Sequence, residues 1–254
     1  VSASQLKELA KSPVAFYDRV IARTAPPISG AALEYGTLLH LWAELGESKF
    51  WSIAQTYPAD CLTATGLIGK DAKAWAASQP ADAVLVTPSD HAQLWQQTRQ
   101  ILENKAARKL LEESIDAEFN VRFKWAGVAC RSRIDGATER CWYDLKTTKE
   151  ANPLRSAWRA VDTFLYDIQA AFYQEAATQC CVPDTNLQFI FTSTVYPYRC
   201  DVLYLPQEVL MRGRRRCLRL LAEYQTRKEW GQWLPYEYGE AHEMQCPQWM
   251  KEGD

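Results

Sequence analysis

A mixed α/β fold is predicted by three features of the 254-residue sequence. A helical apolar period runs through the first 115 residues, a switch to period two begins at Glu118 and lasts for three short segments, and helix and strand patterns alternate after them. At 47% hydrophobic, with ten Trp and twelve Tyr, the chain can bury a sizeable core and lies far from the disordered class. One elaborated domain over residues 1–254 is expected, with a mainly helical part (1–115), a mixed core (116–230) and an irregular tail (231–254).

The first helix begins where Ser2 and Gln5 stand at capping-box spacing, and Leu6, Leu9 and Ala10 form its apolar stripe. Ser12 and Pro13 restart a helix that buries Phe16, Tyr17, Val20 and Ile21 and stops at Pro26-Pro27. Residues 31–45 are helical again, and the helical spacing sets His40 one turn after Gly36, which is expected to pack closely against a neighbour. Residues 52–87 read as irregular with short helices. Helices over 89–104 and 106–114 follow. Segments 118–125, 128–135 and 140–147 then form a β-meander, with tight turns at Ala126-Gly127 and at 136–139. A loop through Asn152-Pro153 leads to one helix over 162–180, with Leu165, Ile168, Phe172 and Ala176 as its apolar stripe. Strands over 187–195 and 200–205 come next. Pro206 opens a long helix to about residue 228.

No apolar run approaches the roughly 18 residues of a membrane span, and no basic-then-apolar segment opens the chain. A cytoplasmic location is expected. The cysteines fit a reducing compartment, because Cys61, Cys130, Cys141, Cys180, Cys181, Cys200, Cys217 and Cys246 include no CxxC ligand pair. Beginning with Val1, the chain is compatible with a piece of a longer protein. A formal charge of -2 gives no global attraction to polyanions, so binding to nucleic acid would need a local positive surface or a bound cation.

The chemistry concentrates in the meander. Residues two apart in a strand point to the same side, so Asp144 and Lys146 project together from one face. Asp135 ends the preceding strand, and a short connection can bring its carboxylate beside that of Asp144. Two close carboxylates repel unless a cation sits between them, and Mg2+ favours such hard oxygen ligands; the two aspartates with the Leu145 carbonyl would suffice from the protein. The acidified water of a bound cation could attack a phosphodiester, with Lys146 orienting or deprotonating it. An ordinary salt bridge on a solvated hairpin explains the same three residues. Arg131 and Arg133 share a strand face with Asp135 and could contact phosphate or pair with a neighbouring acid. The densest basic run, Arg212, Arg214, Arg215, Arg216 and Arg219, fits either phosphate binding or a solvated helix face. Tyr166, Gln169 and Tyr173 share a helix face distinct from the apolar stripe, from which Gln169 can reach the Asp/Lys patch.

The run Arg131-Ser132-Arg133-Ile134-Asp135, followed by Asp144-Leu145-Lys146-Thr147-Thr148, resembles the core motif of the PD-(D/E)xK nucleases. In particular it is similar to the exodeoxyribonuclease VIII (RecE-type) branch, related to lambda exonuclease. Further motifs extend the resemblance along nearly the whole chain: Ser4-Gln5-Leu6-Lys7 with Ser12-Pro13, Gly36-x-x-x-His40, Tyr166-x-x-Gln169-x-x-x-Tyr173, and Cys246-Pro247-Gln248-Trp249. Ile134 stands where that motif has Pro, and Asp144 where it has Glu.

The resemblance implies a restriction-endonuclease-like core, a central mixed sheet flanked by helices behind a helical N-terminal region. It implies Mg2+, with Mn2+ able to substitute, and an exonuclease that degrades one strand of duplex DNA from a free end, 5′ to 3′, in recombination. His40 would be a further metal ligand, and Glu118 another ligand or a partner of one. Gln169 would support the catalytic set, and Tyr166 and Tyr173 would line it or meet DNA. A single-strand annealing protein and a trimeric or tetrameric ring are the implied partners. The alternatives are an endonuclease or a Cas4-like end-processing nuclease, whose usual iron-sulfur cysteine spacing is absent here, and a non-catalytic DNA-binding module.

Overall fold

Ser2 and Ser12 each open a helix with a side-chain oxygen. In the computed structural model, which describes residues 1–63, 68–234 and 241, Ser2 Oγ accepts from the Gln5 N–H while Gln5 Oε1 accepts from the Ser2 N–H. This closes the expected capping box on α1 (Ala3–Lys11). Ser12 Oγ accepts from the Ala15 N–H at α2 (Pro13–Phe16), with Pro13 in the first turn, and a π-helical turn (Tyr17–Ile21) continues it. α3 (Ala31–Leu45) and α4 (Glu47–Ile53) meet at Gly46, whose φ of +79° suits glycine. The stretch expected to be irregular holds more order than its composition shows. It contains β1 (Ala54–Thr56), a 3-10 turn (Ala59–Cys61), α5 (Ala72–Ala77) and β2 (Val84–Val86), and β1 pairs in parallel with β2. Thr87 and Asn104 cap α6 (Pro88–Glu103) and α7 (Lys105–Glu112).

The central sheet has β3 (Asp116–Trp125), β4 (Val128–Ala137), β5 (Trp142–Thr148), β6 (Gln188–Ser193) and β7 (Cys200–Tyr204), in that spatial order. Only β5 and β6 run parallel. A parallel pair needs a crossover, and here it holds α8 (Pro153–Thr163) and α9 (Tyr166–Gln179). The helix expected over 162–180 is α9, which starts later, at Tyr166, and α8 is an additional helix in the stretch expected as a loop. Asn152 Oδ1 accepts from the Arg155 N–H and Pro153 sits in the first turn, so the presumed loop is a helix start. The break falls at Leu165, whose left-handed backbone (φ 54°) interrupts the helix. Nor is α9 amphipathic as expected: Asp167, Gln169 and Tyr173 are as buried as Ile168 and Phe172.

That burial follows from two cores on the two faces of the sheet. On one face Leu6, Leu9, Ile134, Trp142, Phe172 and Phe189 pack with α1, α9 and α10 (Gln207–Trp230). On the other, Leu39, Leu94, Ile101, Tyr143, Leu145 and Ile190 pack with α3, α6 and α7. Strand alternation sorts Phe189 and Phe191 to the first core and Ile190 to the second, so β5 and β6 are covered on both sides. This is the mixed α/β, restriction-endonuclease-like arrangement that was expected. Among the described residues, no helix is long and apolar enough to cross a membrane.

The arginine run on α10 is spent on packing. Arg212 and Arg216 pair with the fully buried Asp167 of α9, and Arg214 pairs with Glu175 while its guanidinium lies over the Trp125 ring. Neither phosphate binding nor a merely solvated face describes these three; a buried carboxylate needs such partners. Of the tail, Trp233 is buried and stacks on Phe16, with ring centroids 5.3 Å apart; the Cys246-Pro247-Gln248-Trp249 motif lies outside the described residues.

α9 and α10 approach closely at Gly213, where a Cβ would run into the Asp167 carbonyl and the Ala171 methyl. Gly213→Ala should therefore lose about 1–3 kcal/mol despite alanine's better helix propensity. A lowered urea midpoint at unchanged slope is the expected result; an unchanged or raised midpoint would show that the contact yields.

Candidate functional site

The site sits where β4 and β5 part. Their ladder has two pairs, Gly136 with Tyr143 and Ala137 with Trp142, and goes no further. Beyond it the Asp135 side chain takes the place of the β4 backbone: Asp135 Oδ2 accepts from the Leu145 N–H at 2.7 Å. The Leu145 carbonyl, on the same strand edge as that N–H, faces the same opening.

The two aspartates reach this fork from opposite sides. Ile134 and Trp142 belong to the same core, so alternation starts Asp144 on the α9 side and Asp135 on the α3 side. Their partners agree. Asp144 Oδ1 accepts from Gln169 Nε2 of α9 at 2.6 Å, whereas Asp135 Oδ2 lies 3.5 Å from Nδ1 of His40 on α3. Both nonetheless line one cavity of about 710 Å3, together with Lys146, Tyr166, Gln169 and Tyr173. Asp144 and Lys146 do share a face, and they form a close ion pair.

Glu118 stands across from Asp135. The pairs Ala117 with Gly136 and Phe119 with Ile134 set them opposite each other in the register, but Glu118 has a left-handed backbone (φ 51°) and the ladder skips it. A non-glycine residue in that conformation costs on the order of 1 kcal/mol or more, strain that tends to collect at functional sites. Its carboxylate is held by two cations or potential cations: Oε1 lies 3.2 Å from His40 Nδ1, and Oε2 pairs with Arg133. Among the described residues, His40, Glu118 and Asp135 are the group able to hold a metal ion, with ligand atoms all within 4.8 Å of one another. Asp144 is not one of that trio. Its two oxygens are turned to Gln169 and Lys146.

Burial, with the Asp144 charge adding to it, raises the Asp135 carboxyl from 3.8 to about 7, against the opposing pull of Lys146 and His40. This is the charge pattern that a divalent cation relieves. An imidazole with two carboxylates and a nearby carbonyl is a donor set that Mg2+ or Mn2+ can use, the imidazole favouring Mn2+. Burial pushes the Lys146 ammonium down, but Asp144 and Asp135 outweigh it and hold its pKa above the ordinary value. Without a metal on those carboxylates, Lys146 is held as a cation.

Arg131 and Arg133 line the cavity, and the Tyr173 hydroxyl fixes β4 just after Arg133 by donating to its carbonyl at 2.7 Å. Gly36 corrects an expectation: a Cβ there would meet nothing within 4 Å, so it is not a close-packing glycine. One site residue was missed. Lys7, from α1, donates to Gln169 Oε1 at 2.7 Å and lies 4.8 Å from the centre of the Tyr166 ring. By occupying the amide oxygen it turns the amide nitrogen toward Asp144. Burial, and then the Lys146 charge, lower its pKa to about 7. In the sequence it closes the Ser4-Gln5-Leu6-Lys7 motif, which marks a helix opening and does not by itself point to the site.

The fork of strands, the paired aspartates and the lysine are those of a PD-(D/E)xK-like fold. Residues 2–242 match the PDDEXK-like domain of unknown function (DUF3799), and the chain belongs to that family. A crystal structure of a candidate exonuclease from Eubacterium rectale is similar, with a TM-score of 0.64 at 13% identity over 97% of this chain and 90% of that one. At that identity the likeness is one of fold. No curated protein matches the chain.

A raised carboxyl favours the folded state below its ordinary pKa, and that contribution is lost as pH rises through about 7. The metal-free protein should therefore melt lower at pH 8 than at pH 5.5 by an increment that Asp135→Asn removes. Since a metal must displace that proton at low pH, the rise in Tm on adding Mn2+ should be larger at pH 8. Equal shifts at both pH values would contradict Asp135 as a ligand.

Proposed function

We propose that the protein is a divalent-metal-dependent DNA nuclease, and in particular an exonuclease acting on one strand of duplex DNA from a free end. The observation that supports this most is the convergence of Asp135, Asp144 and Lys146 on one cavity, beside a trio suited to a metal ion, in a chain of a PDDEXK-like family. His40, Glu118 and Asp135 would hold the ion, with Asp144 and the Leu145 carbonyl facing it across the fork. A bound Mg2+, or Mn2+ in its place, supplies Lewis acidity and an acidified water.

The chain's own groups do the positioning. Lys146 orients the attacking water and offsets charge on the phosphate, while Gln169, fixed by Lys7, holds the Asp144 carboxylate in one rotamer. Arg133 is tied to Glu118, and it would be freed for a phosphate as Glu118 turns to the metal. Arg131 makes no side-chain ion pair or hydrogen bond among the described residues and is open to the same use. Exonuclease action is supported by the RecE-type resemblance and by the description of the Eubacterium rectale protein. The 5′ to 3′ direction, a role in recombination, a single-strand annealing partner and a ring of three or four copies rest on that resemblance alone.

Timed digestion of a linear duplex labelled separately at each end, with Mg2+, reads both activity and direction. Lys146→Ala should lower the rate roughly 10²- to 10³-fold; equal cleavage by both proteins ends this reading, and cutting of a closed circular duplex would make the enzyme an endonuclease. Lys7→Met should cost roughly tenfold or more, as for loss of a hydrogen bond from a charged donor. If Lys7 works through Gln169, adding Lys7→Met to Gln169→Ala should cost little more. Independent, additive losses would assign Lys7 some other role.

A further inference from the structure

A second cavity, of about 610 Å3, adjoins the first, and Phe164 and Tyr166 line both. Its other walls come from Tyr35 of α3, Gln93 of α6, Thr148 at the end of β5 and Arg159 of α8. The volume is in the range of small-molecule sites, but the wall shared with the active cavity is what gives it meaning.

Phe164, between α8 and α9, is 52% exposed. Its ring lies 5.7 Å from that of Tyr166 at 32°, a tilted pair, and Tyr166 in turn carries the Lys146 ammonium 5.4 Å from its ring centre. An aromatic face left open to solvent thus begins one ring away from the catalytic lysine. The backbone that holds it there is strained, since Leu165 takes a left-handed conformation with no glycine to ease it. A continuous helix would set Phe164 and Tyr166 about 200° apart around its axis. The break at Leu165 instead lets the two rings meet.

We infer that Phe164 is a stacking platform for a nucleobase of the DNA strand being cut, the base next to the scissile phosphate, and that the second cavity receives that nucleotide. This rests on the nuclease reading and names a subsite of it. The chemistry suits the substrate: aromatic faces bind bases of any sequence. Lys149 and Arg159 in the same cavity can meet the adjoining phosphate, and both are balanced by Glu150 and Asp90, so stacking rather than net charge supplies the binding.

The test uses the full chain and DNA carrying 2-aminopurine, whose fluorescence falls on stacking, at the terminal or penultimate position. In the Lys146→Ala background, which binds without cutting, the signal should fall on binding. The fall should be lost with Phe164→Ala and Phe164→Leu and kept with Phe164→Trp. In the active protein Phe164→Ala and Phe164→Leu should raise KM roughly 5- to 150-fold, the equivalent of one lost base stack, with Phe164→Trp near wild type. A fall that survives in Phe164→Ala overturns the proposal, and so does a KM restored by leucine, which keeps bulk without a π face. Either result leaves the nuclease reading intact if the wild type cuts. A wild type that fails to cut with Mg2+ or Mn2+ removes the nuclease reading and this proposal together.

Discussion

The hydrogen bond from the Leu145 N–H to Asp135 Oδ2 is the contact on which the rest of the site depends. It substitutes a carboxylate for a strand at the point where β4 leaves β5, and so keeps the sheet open without leaving a buried N–H unpaired. A regular continuation of the ladder would have paired Asp135 with Asp144 on one face; instead alternation breaks in β4, where Ile134 and Ala137 face the same core, and Asp135 turns toward α3. In the open fork the two carboxylates still line one cavity, and burial, with the Asp144 charge adding to it, raises the pKa of Asp135.

Every element around the fork compensates this charge. α3 brings His40, β4 brings Arg133, β5 brings Lys146, and α9 brings the Gln169 amide. α1 adds Lys7 behind it. Asp144 has one oxygen on Gln169 and the other in the ion pair with Lys146, while Asp135 lies in the trio able to hold a metal ion. The strained backbone of Glu118 belongs to the same site: the ladder skips it there, and its carboxylate stays within 4.8 Å of the ligand atoms of Asp135 and His40.

Much of this was legible in the sequence wherever a local rule decided the outcome. The capping box at Ser2, the restart at Ser12-Pro13 and the helix over 31–45 follow from short-range chemistry, and the structure has them. Period two gave β3 to β5, and two-residue spacing gave the Asp144–Lys146 pair. What was not legible depended on contacts distant in sequence. Nothing local marks Leu165 for a left-handed break, so the helix was expected to begin at 162 and α8 was expected to be a loop. Gln169 was expected to reach the Asp/Lys patch, but nothing local marks Asp167 for burial, because the arginines that pair with it lie about 45 residues away. Lys7 was invisible for the same reason, its partner being 162 residues distant.

The charge distribution completes the account. A chain with a formal charge of -2 has no long-range attraction for a polyanion, and the densest arginine run is largely consumed inside the fold by Asp167 and Glu175. The active cavity is different: Lys7, Lys11, Arg131, Arg133 and Lys146 line it against Asp135 and Asp144, five basic side chains to two acidic ones. A divalent ion on the carboxylates would raise the local positive charge further. Over about one Debye length, roughly 8–10 Å in physiological salt, this local field outweighs the distant net charge. The basic surface that a phosphate-bearing substrate requires is therefore assembled from two lysines of α1, two arginines of β4 and one lysine of β5, residues too scattered in the chain to register as a basic motif.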